Sequence, residues 1–140
     1  ALAQQSFDIN GCENIIAMLD ARMQEVYWGG YKANPNNLVT TVLADRLQNP
    51  DNFMVDPVVR WVAVGTGVAA YSDLIKRNNH NLVTDVAILY PRAQEVAKIA
   101  ADLFKRGLIL QPSDAVPTYI RDDVAKKSKK NPDQGSRDKN

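Results

Sequence analysis

Apolar and polar positions change period several times along this chain, and each change marks an element. "NIIAML", residues 14–19, is a continuous apolar run with β-branched residues at its start, as expected of a strand buried on both faces. In "EVYWGGY" the residues Val26 and Trp28 alternate with Glu25, Tyr27 and Gly29, the period of two that gives a strand distinct faces. The two runs predict a hairpin. "KANPNN" brings Pro35 and three asparagines, residues that pre-set or tolerate turn dihedrals, and "LVTTVLA" returns as a third β-rich run. Three sequential strands with short connections form an antiparallel meander.

Helical spacing enters in the second half. "DRLQNPDNFMVDP" is punctuated by Pro50 and Pro57 and reads as a short helix, and "RWVAV" follows as a fourth strand. After "GTG", the stretch "VAAYSDLIKR" puts Val68, Tyr71, Leu74 and Ile75 on one helical face, with Thr66 as its N-cap. A short strand at "LVTDV" leads to the clearest helix, from Pro91 to near Arg106. There Ala93, Val96, Ala97, Ala100, Leu103 and Phe104 are spaced for one buried stripe, Pro91 suits the first turn and Gly107 the left-handed cap. The opening "ALAQQSFDINGCEN" reads as the end of a helix and a loop. The expected class is therefore α/β, a mixed sheet with an antiparallel meander first and helix crossovers later.

At 140 residues the chain is long enough for one domain with a real core and too short to expect two. No apolar run approaches the roughly 18 residues of a membrane span. The start "ALAQQSF" lacks the basic flank and apolar stretch of a signal peptide, so a cytoplasmic location without membrane contact is expected. Cys12 is the single cysteine and His80 the single histidine, too few for a zinc cluster, and no metal site is expected. The net charge of +1 hides an asymmetry: residues 126–140 carry net +4 and the body before them net −3. That tail has no apolar residue to bury and is expected to be disordered.

Candidate chemistry is sparse. Asp20 and Arg22 stand where the first strand ends, a common ligand position in open α/β sheets. With no second carboxylate, His or Cys nearby in sequence, they read as a turn-capping acid and its partner. Tyr27, Trp28 and Tyr31 could stack on bases, but aromatics on an amphipathic strand more often form core and half-buried sheet surface. "VGTGVAA" sets Gly65 and Gly67 between a strand and a helix, the place of a phosphate-cradling turn. It lacks the third glycine of the dinucleotide fingerprint and the Lys-Ser/Thr of a P-loop, so close strand-to-helix packing is the expectation. Trp28 and Trp61 are expected in the core. His80 sits in a polar loop, and Cys12 has no base placed to activate it. Lys126, Lys127, Lys129 and Lys130 are the candidate RNA contacts, on electrostatic grounds alone. No catalytic residue and no cofactor site is assigned.

"MLDARMQEVYWGGY", the "VGTG" turn after the strand holding Trp61, the Pro-initiated helix and "PTYIRDDVA" together resemble the TsaB (YeaZ) family, bacterial partner proteins in the tRNA threonylcarbamoyladenosine pathway. The resemblance runs from about Ile15 to Lys127. It implies a ribonuclease-H-like lobe of the actin-like ATPase superfamily. Residues 1–125 would be the C-terminal lobe, followed by the basic tail 126–140. The family's N-terminal lobe, with its Asp-Thr and "GPGSFTGxR" motifs, has no counterpart here. The resemblance implies a non-catalytic helper of TsaD and TsaE, with TsaD binding and homodimerisation through that other lobe, and weak tRNA contact at most. The alternative is an enzyme of the same superfamily, a nucleotide-using ATPase or a protease-like protein.

Overall fold

The computed structural model describes residues 1–121. A five-stranded sheet has the order β3-β2-β1-β4-β5. Its strands are β1 (Asn14–Asp20), β2 (Val26–Ala33), β3 (Val39–Gln48), β4 (Trp61–Val64) and β5 (Leu82–Thr84). β1 pairs antiparallel with β2, and β2 with β3, whereas β4 lies parallel to β1 and β5 parallel to β4. The sheet is mixed, meander first and crossovers after. Helix α1 (Leu2–Asn10) precedes it and stops at Gly11, whose φ of 66° lets its N–H reach the Phe7 carbonyl.

The central strand explains the layering. Ile15, Ile16 and Met18 of β1 are all fully buried, because both faces of the sheet are covered there. On one face Ile16 and Met18 join Val26, Trp28, Phe53, Trp61, Val68 and Leu74 in the larger core. On the other, Ile15 packs with Leu2, Ala3, Val64 and Ile88 beneath α1.

Three expectations need correction. The segment expected as a short helix, residues 45–57, instead begins as the end of β3, where Leu47 and Gln48 pair with Tyr27 and Val26, and its one helical piece is a single 3₁₀ turn, Pro50–Asn52. Ladder partners on β2 outweigh local helix preference, and Pro50 then opens the turn. The helix expected over "VAAYSDLIKR" is two short ones, α2 (Thr66–Ala70) and α3 (Ser72–Arg77), broken at Tyr71. Its N-cap is Gly65; Thr66 is the first helical residue.

The third correction concerns α4 (Ala93–Lys105). Its apolar stripe is not buried. Glu95 is the buried residue of the helix, at 1% exposure, while Val96, Leu103 and Phe104 face outward. The polar side turns inward where Lys98 Nζ lies 2.6 Å from Asp8 on α1, and Arg92, the N-cap of α4, bonds the Glu95 carboxylate within the helix's own first turn. The end is as the sequence implies, with Gly107 at φ 69° and the Leu108 N–H donating to the Leu103 carbonyl at 2.9 Å.

Candidate functional site

The chain's most unusual backbone lies at the turn between β1 and β2. Arg22, Met23 and Gln24 all have positive φ, at 60°, 52° and 61°. Each left-handed non-glycine residue costs about 1–2 kcal/mol, so three in succession require outside support. Asp20 supplies part of it, since its Oδ1 accepts the Arg22 N–H at 2.9 Å. Within the turn, the Ala21 N–H donates to the Glu25 carbonyl and the Glu25 N–H to the Arg22 carbonyl.

Two distant segments close on the same turn. The Tyr71 hydroxyl lies 3.0 Å from Asp20 Oδ1 and 2.9 Å from the Glu25 carbonyl, two acceptors for its one proton. Burial, then the hydrogen bond to Asp20, raises the Tyr71 pKa above the usual tyrosine value. That reach explains the break between α2 and α3. From the far end of the described chain, Arg121 Nη2 donates to the Ala21 carbonyl at 3.0 Å and to Glu25 Oε2 at 2.6 Å. Its guanidinium carbon also lies 5.9 Å from the Tyr27 ring centroid.

Gly65 and Gly67 serve the same corner by close approach. A Cβ on Gly65, whose φ is 102°, would stand 2.1 Å from the Met18 carbonyl oxygen, and one on Gly67 2.9 Å from Met18 Cβ. These glycines let the turn after β4 lie directly on β1. The Asp20 N–H donates to Thr66 Oγ1 at 3.1 Å, completing the contact.

A cavity of about 660 Å³ opens on the sheet face beneath α1, lined in part by Leu19, Tyr27, Tyr31, Asp45, Ile120 and Arg121. The Tyr31 hydroxyl donates to Asp45, and burial followed by that bond raises the Tyr31 pKa strongly. Tyr27, Trp28 and Tyr31 are not one platform. All three contribute to the wall of this cavity, but the Trp28 ring packs in the larger core, where it meets Phe53 edge-on at 4.8 Å between centroids. Trp28 and Trp61 are each 5% exposed. Cys12 lies half-buried before β1 and His80 in the exposed loop before β5. Among the described residues no group of three or more His, Cys, Asp or Glu could hold a metal ion, and no helix is long and apolar enough to cross a membrane. The candidate RNA contacts Lys126, Lys127, Lys129 and Lys130 lie outside the described residues.

No family model matches the chain. It is 33% identical over 127 residues to an Escherichia coli (strain K12) protein, "tRNA threonylcarbamoyladenosine biosynthesis protein TsaB", covering 89% of this chain and 54% of that one. The Haemophilus influenzae protein of the same description is 27% identical over 135 residues, with the same coverage of each. Over that span the chain is a homologue of TsaB (YeaZ). A solved structure of YeaZ from Pseudomonas aeruginosa superposes with a TM-score of 0.73 at 28% identity, covering 84% of this chain and 54% of that one. A second, described as an uncharacterized protein with similarity to peptidase YeaZ from the same organism, gives 0.74 at 30% identity, covering 86% and 55%. The sheet and its helices thus have the actin-like, ribonuclease-H-like fold of the YeaZ structures. The chain spans about half the length of the TsaB proteins it matches.

The TsaB-like strings acquire physical meaning from the clamp. "DARMQEVYW" contains the strained turn and its internal cap, "VGTG" the close-packed turn beside it, and "PTYIR" the arginine that reaches back. Asp20, Arg22, Gly65 and Gly67 meet at this corner. Arg121 and Tyr71 complete it; the sequence placed Tyr71 only on an apolar helical face and Arg121 only within the resembling string "PTYIRDDVA", and neither contact to this corner was legible because the partners lie 46 to 100 residues away.

Proposed function

We propose that residues 1–125 are the C-terminal lobe of a TsaB-like protein that takes part, without catalysing, in the formation of threonylcarbamoyladenosine in tRNA. The observation that carries this reading is the 33% identity to a TsaB-named relative along 89% of the chain. In it, TsaD performs the transfer to the adenosine beside the anticodon, TsaE is the ATPase, and this protein holds the assembly together in the bacterial cytoplasm. Homodimer and TsaD contacts belong to the other lobe. The tail from Lys126 adds only weak, salt-sensitive attraction to tRNA, each neutralised phosphate contributing slightly under about one unit of salt slope on a duplex.

The internal use of the acids supports a helper over an enzyme. Asp20 is bonded to Arg22, Tyr71 and, through its backbone, Thr66, and Glu25 is held by Arg121. Groups so engaged stabilise a turn; a general acid or base needs a proton path to a substrate. Incubation of the chain with ATP or with generic peptides should give no turnover above buffer. Turnover that disappears on Asp20→Ala or Thr66→Ala would establish the enzyme reading instead.

A further inference from the structure

We infer that the cleft between β3 and the segment leading to β4 binds a small uncharged molecule, mostly apolar, whose one hydrogen-bond acceptor, such as a carbonyl oxygen, meets Trp61 Nε1. This site shares no lining residue with the clamp and does not depend on the role proposed in tRNA modification.

The cleft has a volume of about 420 Å³, within the range that takes small ligands, and Trp28, Leu43, Met54, Val59 and Trp61 give it largely apolar walls. It adjoins the larger core, where Trp28, Val55 and Trp61 are buried and Leu43 and Val59 pack against them. Met54 is 80% exposed and Val42 is also open to solvent, so apolar surface continues from the outside inward.

Polar groups set the chemistry of the guest. Trp61 is buried, and its Nε1–H has no acceptor among the described residues. A guest that brings an acceptor makes a hydrogen bond that folding leaves unmade. The other polar side chains of the cleft are already engaged. Trp28 Nε1 donates to Gln48 Oε1, and Gln48 Nε2 donates to the Asn52 carbonyl. Arg46 lies over the Trp28 ring with its Nε on the Ala44 carbonyl, and Asp56 Oδ1 accepts the Val58 N–H. One cation and one anion thus line the cleft and offset each other, so a charged guest would lose its water for no net attraction. Register shifts in the pairing of β3 with β2, between Trp28 and Tyr31, kink this edge of the sheet. The cleft therefore suits a compact guest better than an added strand.

The test is a titration of the isotope-labelled chain with acetophenone, a carbonyl on an apolar ring, and with 2-phenylpropene, the same shape with a CH₂ group in place of the oxygen. The chain has two indole N–H resonances, Trp28 and Trp61, which Trp61→Phe assigns. Acetophenone should move the Trp61 resonance saturably and leave that of Trp28 nearly in place, because Trp28 already has its acceptor. Trp61→Phe should weaken acetophenone binding by about ten-fold, read from the Met54 methyl resonance, and change 2-phenylpropene binding by less than about two-fold. Val42→Trp, which fills the cleft from an exposed strand position, should abolish binding of both. A Trp61 resonance that acetophenone does not move would overturn the inference, and so would equal losses of the two guests in Trp61→Phe or binding indifferent to Val42→Trp. Persistent magnetisation exchange between the Trp61 N–H and water in the presence of acetophenone would make a trapped water the partner and overturn it as well. If either variant fails to fold, the wild-type Trp61 resonance decides alone.

Discussion

Arg121 and Glu25 are joined at 2.6 Å across 96 residues of sequence, and the same guanidinium holds the Ala21 carbonyl at 3.0 Å. The bond links the end of the described chain to the strained turn between β1 and β2. It lies between a surface ion pair and a buried one, since the Arg121 side chain is mostly covered and that of Glu25 is partly open to solvent. A hydrogen bond to a charged group at such a site contributes about 2 kcal/mol.

Arg121→Met should therefore lower unfolding free energy by about 2 kcal/mol. It should also free the segment around Tyr119, so that chymotryptic cleavage after Tyr119 becomes faster. Arg121→Lys should recover only part of this, because an ammonium cannot reproduce the planar fork that meets two acceptors. Cleavage at the wild-type rate in Arg121→Met would mean that other contacts hold the segment.

The two tryptophans are equally buried but differently bonded. Trp28 Nε1 donates to Gln48 Oε1 at 2.9 Å, and Arg46 lies 4.7 Å over its ring, whereas Trp61 Nε1 has no acceptor among the described residues. Trp61→Phe should thus be the milder change, by about 1 kcal/mol relative to Trp28→Phe. Trp61→Ala should cost about 3–5 kcal/mol. Urea unfolding of the three variants checks the order. Equal losses for the two Phe variants would mean that the Gln48 bond adds nothing.

Alkaline pH should destabilise the fold through Tyr31. Burial first, and then Asp45, raise its folded pKa above the unfolded value of about 10. The neutral phenol's contribution is thus complete below about pH 10 and is lost as pH rises toward the folded value. Tyr71 is shifted the same way, by burial and then Asp20. Melting temperature followed upward from neutrality should fall beyond that point, and Tyr31→Phe should flatten the fall. An identical slope in Tyr31→Phe would place the alkaline loss elsewhere.

The meander was legible because its signals are local. Ile15, Ile16 and Met18 form an unbroken apolar run, and Val26 and Trp28 alternate with their neighbours, so strand and face follow from period alone. The break at Tyr71 was not legible, because a hydroxyl finding Asp20 and the Glu25 carbonyl is a tertiary event. The stripe of α4 was read correctly as apolar and wrongly as buried. Periodicity reports which side of a helix avoids water, not whether this chain holds anything to cover it. The candidate site was legible as residue types around Asp20 and Gly65, and illegible as a clamp, since Arg121 enters it from 100 residues away.

The most direct measurement of the central claim is the nucleoside content of tRNA in a bacterium depleted of its own TsaB. On the proposed function, and with TsaD and TsaE present, a TsaB whose C-terminal lobe is replaced by this chain should restore threonylcarbamoyladenosine in digested tRNA, as read by mass spectrometry. A polypeptide that is folded and abundant while the modified nucleoside stays absent would contradict the account.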